Sequence, residues 1–289
     1  VESAAQVGKD IIKAFKKPFL VEGHAIIISM SIGIVFSDEQ YKQAEDVIRN
    51  ADIAMYTAKT HGKGKIQLFT PHMRELVITR LNTKEDFRTA MQRKELVVNY
   101  QPIVAFDRES LTGFEALVRW HHPIRNVLYP DYFIPIAEES GLLMEMDRWV
   151  LYNACQQLKE WQMNGLISPS ITMSVNISGS HLKQTGFIDY INRVIEKTGI
   201  KPQNLQIEIT ERAAIEHDEQ TVKIITSLRE LGVQVQIDDF GVGYSSLGYL
   251  STLPLGALKI DRSLVKGIQE DTRHKEIIQA IVSLTKRLN

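Results

Sequence analysis

The chain has 289 residues, 44% hydrophobic and 24% charged, with a formal net charge of −1. That length suits one large domain or two modest ones, and the near-neutral charge argues against a surface built for duplex DNA or RNA. The single cysteine, Cys155, excludes an intrachain disulfide and fits a reducing compartment such as the cytoplasm; no apolar run approaches the roughly 18 residues of a membrane span.

The opening VESAAQVGKD lacks the basic-then-apolar order of a signal peptide, and any membrane attachment is expected only through segments upstream of it. It lacks an initiator Met, and SLTKRLN stops inside a helical pattern, so both ends read as cuts through a longer protein. Residues 1–70 form a first region: AAQVGKDIIKAF as a helix, HAIIISMSIGIV as a β-rich run, and QAEDVIRNADIAMYTAKTHGKGK as a helix with Ala44, Val47, Ile48, Ala51, Ala54, Met55 and Ala58 on one stripe. IQLFT reads as a closing strand. Residues 71–85 read as a linker helix, with Thr83 and Asp86 as a cap restarting a helix near residue 84.

A different rhythm fills residues 86–289. Strand-like runs LVVNYQPIV, LTGFEALVRW, ITMSVNIS, LQIEIT, VQVQID and ALKID alternate with helical stretches, one of them spanning YFIPIAEESGLLMEMDRWVLYNACQQLKEWQMNG. That alternation predicts a parallel sheet with helical crossovers. The short connection from Ala105 to Ser110 makes the first two runs an antiparallel hairpin. The spacing of the later strands is the pitch of a (β/α) barrel, but fewer residues remain than eight units need, so the barrel reads as open or truncated.

In such a barrel the active site lies at the C-terminal strand ends. Glu115 and Arg119, Asn176 and Ser178, Glu208, Thr210 and Glu211, Asp238 and Asp239, then Lys259 and Asp261 occupy those ends. Two carboxylates about 4 Å apart repel by around 4 kcal/mol at an effective dielectric near 20. A divalent cation relieves Glu115, Glu208 and Asp238, and an all-oxygen ligand set with Asn176 favours Mg²⁺ or Mn²⁺ over zinc. Adjacent Asp238 and Asp239 suit two ions, the pair that clamps attacking and leaving oxygens in phosphoryl transfer. Lys259 suits a water or developing charge, Arg119 a phosphate oxygen, and FGVGYSS a loop that moves beside the acids. Gly241 and Gly243 lack the third glycine of a dinucleotide fingerprint. The His217–Asp218 pair has no histidine cluster to support a His-Asp phosphohydrolase. Asp238–Asp239 as a helix cap and Cys155 as a small buried apolar side chain are the plain alternatives.

YQPIV, FEALVRW, VNIS, EITE, DDFGVGYSSL and LKIDRSLV, in this order, resemble the EAL family of cyclic-di-GMP phosphodiesterases, with Glu115-Ala116-Leu117 as the eponymous tripeptide. SMSIGIV and ADIAMYTAKTHGKGK resemble the C-terminal part of a GGDEF domain. The resemblance implies an α/β, TIM-like barrel with an antiparallel first strand, preceded by the C-terminal portion of an α+β GGDEF domain. It implies Mg²⁺- or Mn²⁺-dependent hydrolysis of one phosphodiester of cyclic-di-GMP, with two ions per site and a homodimer formed through the barrel. A non-catalytic cyclic-di-GMP receptor is the alternative. Carried over by motif, Glu115, Asn176, Glu208 and Asp238 are metal ligands, Asp239 serves the second ion, and Lys259 sits at the attacking water. Gln101, Leu117 and Arg119 contact substrate, and Glu211 anchors the loop beginning at Phe240. The chain departs from the family at Val242, where Thr is usual, at Gly256 (an acid) and at Leu264 (Phe). The glutamate of the family's seventh strand, the glutamine of its eighth and the GGDEF signature loop have no counterpart here.

Overall fold

The computed structural model describes residues 2–16, 18–21, 24–26, 28–36, 41, 43–60, 64–107, 109–215, 219–241, 252–269 and 272–288. Val242, Gly243 and the His217–Asp218 pair lie outside the described residues. The chain divides into two compact units, Val1–Asp86 and Phe87–Asn289. No described helix is long and apolar enough to cross a membrane.

In the first unit, helix α1 (Glu2–Phe15) precedes an antiparallel pair, β1 (Phe19–Val21) and β2 (His24–Ile26). Strand β3 (Ile32–Ile34), helix α2 (Ala44–Thr60) and strand β4 (Ile66–Leu68) follow, with β3 and β4 parallel. Acidic Glu45 and Asp46 open α2 and Lys59 closes it, matching the helix dipole. Of the expected stripe, Ala54 and Ala58 are buried, whereas Ala44 and Ile48 at the start of the helix are exposed, a correction to a stripe running its full length. Gly33 brings β3 against α2 so closely that a Cβ there would run into the backbone of Ala51 and Met55. Helix α3 (Pro71–Gln92) is continuous, and the boundary of the two units falls within it. The expected restart at Thr83 is therefore corrected: Thr83 is a buried interior residue of this helix. Pro71 opens the helix, and no glycine or proline interrupts it afterwards.

The second unit begins with the expected hairpin, β5 (Leu96–Ala105) against β6 (Ser110–His122), with Gln101 opposite Glu115. A short β7 (Asn126–Leu128), unforeseen, pairs back onto the end of β6 after a turn in which Asn126 takes a positive φ of 60°. The long helical stretch is two helices, α4 (Pro130–Glu139) and α5 (Leu143–Met163), broken at Gly141, whose φ is +69°. Next come β8 (Thr172–Asn176), α6 (Gly179–Leu182), α7 (Phe187–Thr198) and β9 (Leu205–Thr210). Helices α8 (Glu211–Ile215) and α9 (Glu219–Leu231) lead to β10 (Gln234–Phe240), β11 (Ala257–Ile260), α10 (Arg262–Lys266) and α11 (Thr272–Leu288).

The sheet runs β11-β10-β9-β8-β6-β5, parallel except at the β5–β6 hairpin. Among the described residues β5 and β11 do not pair, so the ladder is open. Alternation sorts the two faces of the strands. Met173, Val175, Leu205, Ile207, Ile209, Val235 and Ile237 are buried in one core with Leu151, Ala154, Leu158, Ile191 and Leu228 of the helices. The opposite face is polar. Ser174 Oγ donates to Gln206 Oε1 (2.9 Å), and Gln206 Nε2 donates to Gln234 Oε1 (3.2 Å). Phe87, Trp120 and Phe133 pack ring to ring, and Trp120 Nε1 donates to Glu95 Oε2 (3.0 Å).

Candidate active site

The polar face of the sheet ends in acids because the parallel register aligns them. Ser174 lies beside Glu115, Asn176 beside Glu208, and Gln236 beside Glu208, which brings Asp238 one step further along β10. Glu115, Glu208 and Asp238 each offer an oxygen within 4.8 Å of the others. Lys259 reaches in from β11. Its Nζ donates to Glu208 Oε2 (2.7 Å) and Glu115 Oε2 (2.9 Å) and lies 3.4 Å from Asp238 Oδ1. Asn176 Nδ2 donates to Glu115 Oε1 (3.1 Å).

Burial gives this cluster its electrostatic character. Glu208 is fully buried, and desolvation, opposed by the Lys259 charge, pushes its carboxyl up to about 7. Burial alone would lower the Lys259 ammonium, but Glu208 and Glu115 outweigh it and hold the pKa above the ordinary lysine value. Asp239 is raised by burial and by Asp238. It also sits at a positive φ of 53°, a backbone state that is uncommon outside glycine and concentrated at functional sites.

The chemistry of the donors fits a hard divalent cation. Three carboxylates and a carboxamide supply oxygens, and among the described residues the buried Glu208 Oε1 has no hydrogen-bond partner. A cavity of about 720 Å³ opens beside the cluster, within the usual range for ligand pockets. Glu115, Asn176, Asp238 and Asp239 form its polar wall, and Leu117, Ile134, Met146 and Val150 its apolar one.

Residues 84–289 match the family described as EAL domain. The chain belongs to the EAL domain family. Residues 1–65 match the diguanylate cyclase GGDEF domain. The cyclic di-GMP phosphodiesterase NbdA of Pseudomonas aeruginosa is 35% identical over 279 residues, covering 96% of this chain and 35% of NbdA. The bifunctional diguanylate cyclase/cyclic di-GMP phosphodiesterase MucR of the same organism is 35% identical over 286 residues, 99% of this chain and 42% of MucR. This chain thus spans well under half of these two relatives. Among solved structures, the PaMucR phosphodiesterase in complex with c-di-GMP superposes with a TM-score of 0.68 at 36% identity, over 71% of this chain and 82% of that one. The (β/α) architecture is accordingly the TIM-like barrel of EAL domains.

Not every expected site residue of this EAL domain joins the cluster. Glu115, Asn176, Glu208, Asp238 and Lys259 converge as expected. Leu117 and Asp239 line the cavity, and Asp239 stands outside the carboxylate triad. Gln101 is exposed on β5 opposite Glu115. Arg119 turns elsewhere: its guanidinium lies over the Tyr129 ring at 5.0 Å and donates to the Val118 carbonyl (2.8 Å). Glu211 is buried, and its Oε2 accepts the Gly241 N–H (3.0 Å), at the root of the loop it was expected to anchor. Sequence reasoning missed the apolar wall from α4 and α5 and the buried Asp147 beside it. Asp147 was detectable in principle, as a carboxylate on the apolar stripe Leu143, Met146, Val150, Leu151.

Proposed function

We propose that this EAL domain hydrolyses one phosphodiester bond of cyclic-di-GMP to the linear dinucleotide. The observation that carries the reading is the cluster of Glu115, Glu208, Asp238 and Lys259, two of whose members, Glu115 and Asp238, line a cavity of about 720 Å³. The names of NbdA, MucR and PaMucR support the substrate class.

In this reading Glu115, Asn176, Glu208 and Asp238 hold a divalent ion, Mg²⁺ or Mn²⁺, and Asp239 serves a second. Bound ions would supply charge neutralisation at the phosphoryl oxygens and a water of lowered pKa. The chain's own residues do the rest. Lys259, already hydrogen-bonded to two of the carboxylates, orients the attacking water and offsets charge developing at phosphorus. Arg119 offers its two-pronged fork to a phosphate oxygen on moving from Tyr129. Leu117 and Gln101 contact the substrate, and the aliphatic wall of α4 and α5 excludes water around it. Glu211 holds the root of the loop that begins at Phe240. Association as a homodimer through the barrel and a cytoplasmic location complete the reading.

The test is turnover of cyclic-di-GMP with Mg²⁺ or Mn²⁺, alongside Glu115→Ala. Linear product that falls by at least about 100-fold in the variant supports the reading, since a triad ligand is lost. Binding without turnover makes the domain a receptor. Neither binding nor turnover in a folded sample refutes the substrate.

A further inference from the structure

Asp147 is a further buried acid, lining the same cavity as Glu115 and Asp238. It is 5% exposed on the apolar stripe of α5, where an unpaired carboxylate would be costly. Its Oδ2 accepts both the main-chain N–H (3.0 Å) and the hydroxyl (2.6 Å) of Ser178. Ser178 stands two residues beyond Asn176 and caps α6, its Oγ accepting the His181 N–H (3.3 Å). Between them, Ile177 donates its N–H to the Glu208 carbonyl (2.9 Å). The turn at 176–178 is thus fixed to β9 on one side and to α5 on the other.

The support extends outward. His181 is fully buried, with Nδ1 3.4 Å from Asp147 Oδ2. Its Nε2 accepts from Arg148 Nε (3.4 Å), and Arg148 lies over the Tyr190 ring at 5.2 Å. Tyr190 Oη in turn donates to the Arg148 carbonyl (2.7 Å). Three helices, α5, α6 and α7, therefore brace the end of a single strand. At that end Asn176 donates to Glu115, in the group that converges on the cavity.

We propose that Asp147 is a positioning residue: through Ser178 it sets the turn that aims Asn176 at Glu115, and so sets how tightly the cluster takes a divalent cation. The inference rests on the proposed phosphodiesterase reading and deepens it. Its chemistry is that of outer partners of metal ligands, whose loss typically weakens metal affinity or activity by about 10- to 100-fold.

The test uses the full chain and Mn²⁺ itself, with free Mn²⁺ read by electron paramagnetic resonance. Asp147→Asn keeps the shape of the side chain and one acceptor; Ser178→Ala removes the hydroxyl. The expected result is Mn²⁺ affinity weakened about 10-fold or more in Asp147→Asn, with tryptophan-detected unfolding near that of the parent. Cyclic-di-GMP turnover falls while KM for the nucleotide stays within about twofold, the split expected of a residue that acts through a metal ligand. The double variant is no worse than Asp147→Asn, since the pair acts as a unit. Parental Mn²⁺ affinity in a folded Asp147→Asn overturns the proposal, as does additive loss in the double variant. Loss of the folded state in both variants assigns Asp147 to folding alone and overturns it too. Failure of the parent itself to bind Mn²⁺ is a different outcome: it sinks the metal-dependent reading, and the proposal with it.

Discussion

Replacing Lys259 with Met leaves a side chain of similar length but no charge among three acids. The ammonium lies 2.7 Å from Glu208, 2.9 Å from Glu115 and 3.4 Å from Asp238. Glu115 and Asp238 side chains are 15% and 21% exposed, so water screens part of their loss, whereas Glu208 is 0% exposed. The Glu208 contact therefore dominates, and breaking one partner out of such a pair costs about 3–5 kcal/mol. The cost depends on pH with a definite sign. Glu208 has a folded pKa of about 7, above the ordinary glutamate value near 4.3. Its protonated form is favoured by folding, so its contribution is fully present below about pH 4.3 and is lost as pH rises through 7. Without Lys259 the folded pKa climbs further, and the loss continues above 7. The penalty of Lys259→Met is therefore about 3 kcal/mol at pH 8 and smaller by about 1 kcal/mol at pH 5.5. Urea unfolding followed by tryptophan fluorescence measures it cleanly, because Trp120, Trp149 and Trp161 are the chain's three tryptophans and all lie in the second unit. Adding Glu208→Gln removes the stranded charge and should recover most of the loss at pH 8. Equal losses at the two pH values, or none at pH 8, would show that Glu208 is not the buried charge described.

Gly33→Ala should loosen the first unit by about 1–3 kcal/mol, read as faster hydrogen exchange in α2, with the tryptophan transition unchanged. Glu211→Ala, which removes the acceptor for Gly241 N–H, is expected to lower turnover about 10-fold while leaving Mn²⁺ affinity near the parent value, a split that steady-state kinetics and metal titration resolve. Cys155 is fully buried, and burial pushes its thiol up to about 12. A thiol reagent at pH 7.5 should therefore label it only as fast as the second unit unfolds, and prompt labelling of the native protein would contradict its burial.

The site was legible where chemistry and strand alternation coincide. Gln234, Gln236 and Asp238 share one face of β10 while Val235 and Ile237 bury the other, and the string VQVQID displays that sorting directly. The hairpin at Ala105–Ser110 was legible from the shortness of its connection. Other features depend on partners remote in sequence. Asp147 and Ser178 are 31 residues apart, and only the packing of α5 against β8 joins them. The stacking of Arg119 on Tyr129 follows from β7 folding back along β6, a three-residue strand too short for alternation to announce. Gly141 divided what read as one helix because its position after an acidic pair serves a C-terminal cap as well as an interior site.

The hydrogen-bonded chain from Ser174 through Gln206 to Gln234 has a consequence for how this protein tolerates change. Ordinary (β/α) barrels fill their centre with layers of branched aliphatic side chains. Here the centre under Glu208 is built from hydroxyls and carboxamides, and the apolar burial is concentrated between strands and helices. Folding free energy and ligand chemistry therefore reside on opposite sides of the same strands. Substitutions at 206 and 234 can retune polarity beneath the acids at modest risk to folding, whereas the fully buried 174 and the apolar positions 175, 207 and 235 are constrained by packing. Alternate residues of a single strand are thus free to drift under different selective pressures, and new specificities on this scaffold would arise from the even-numbered positions of β8, β9 and β10.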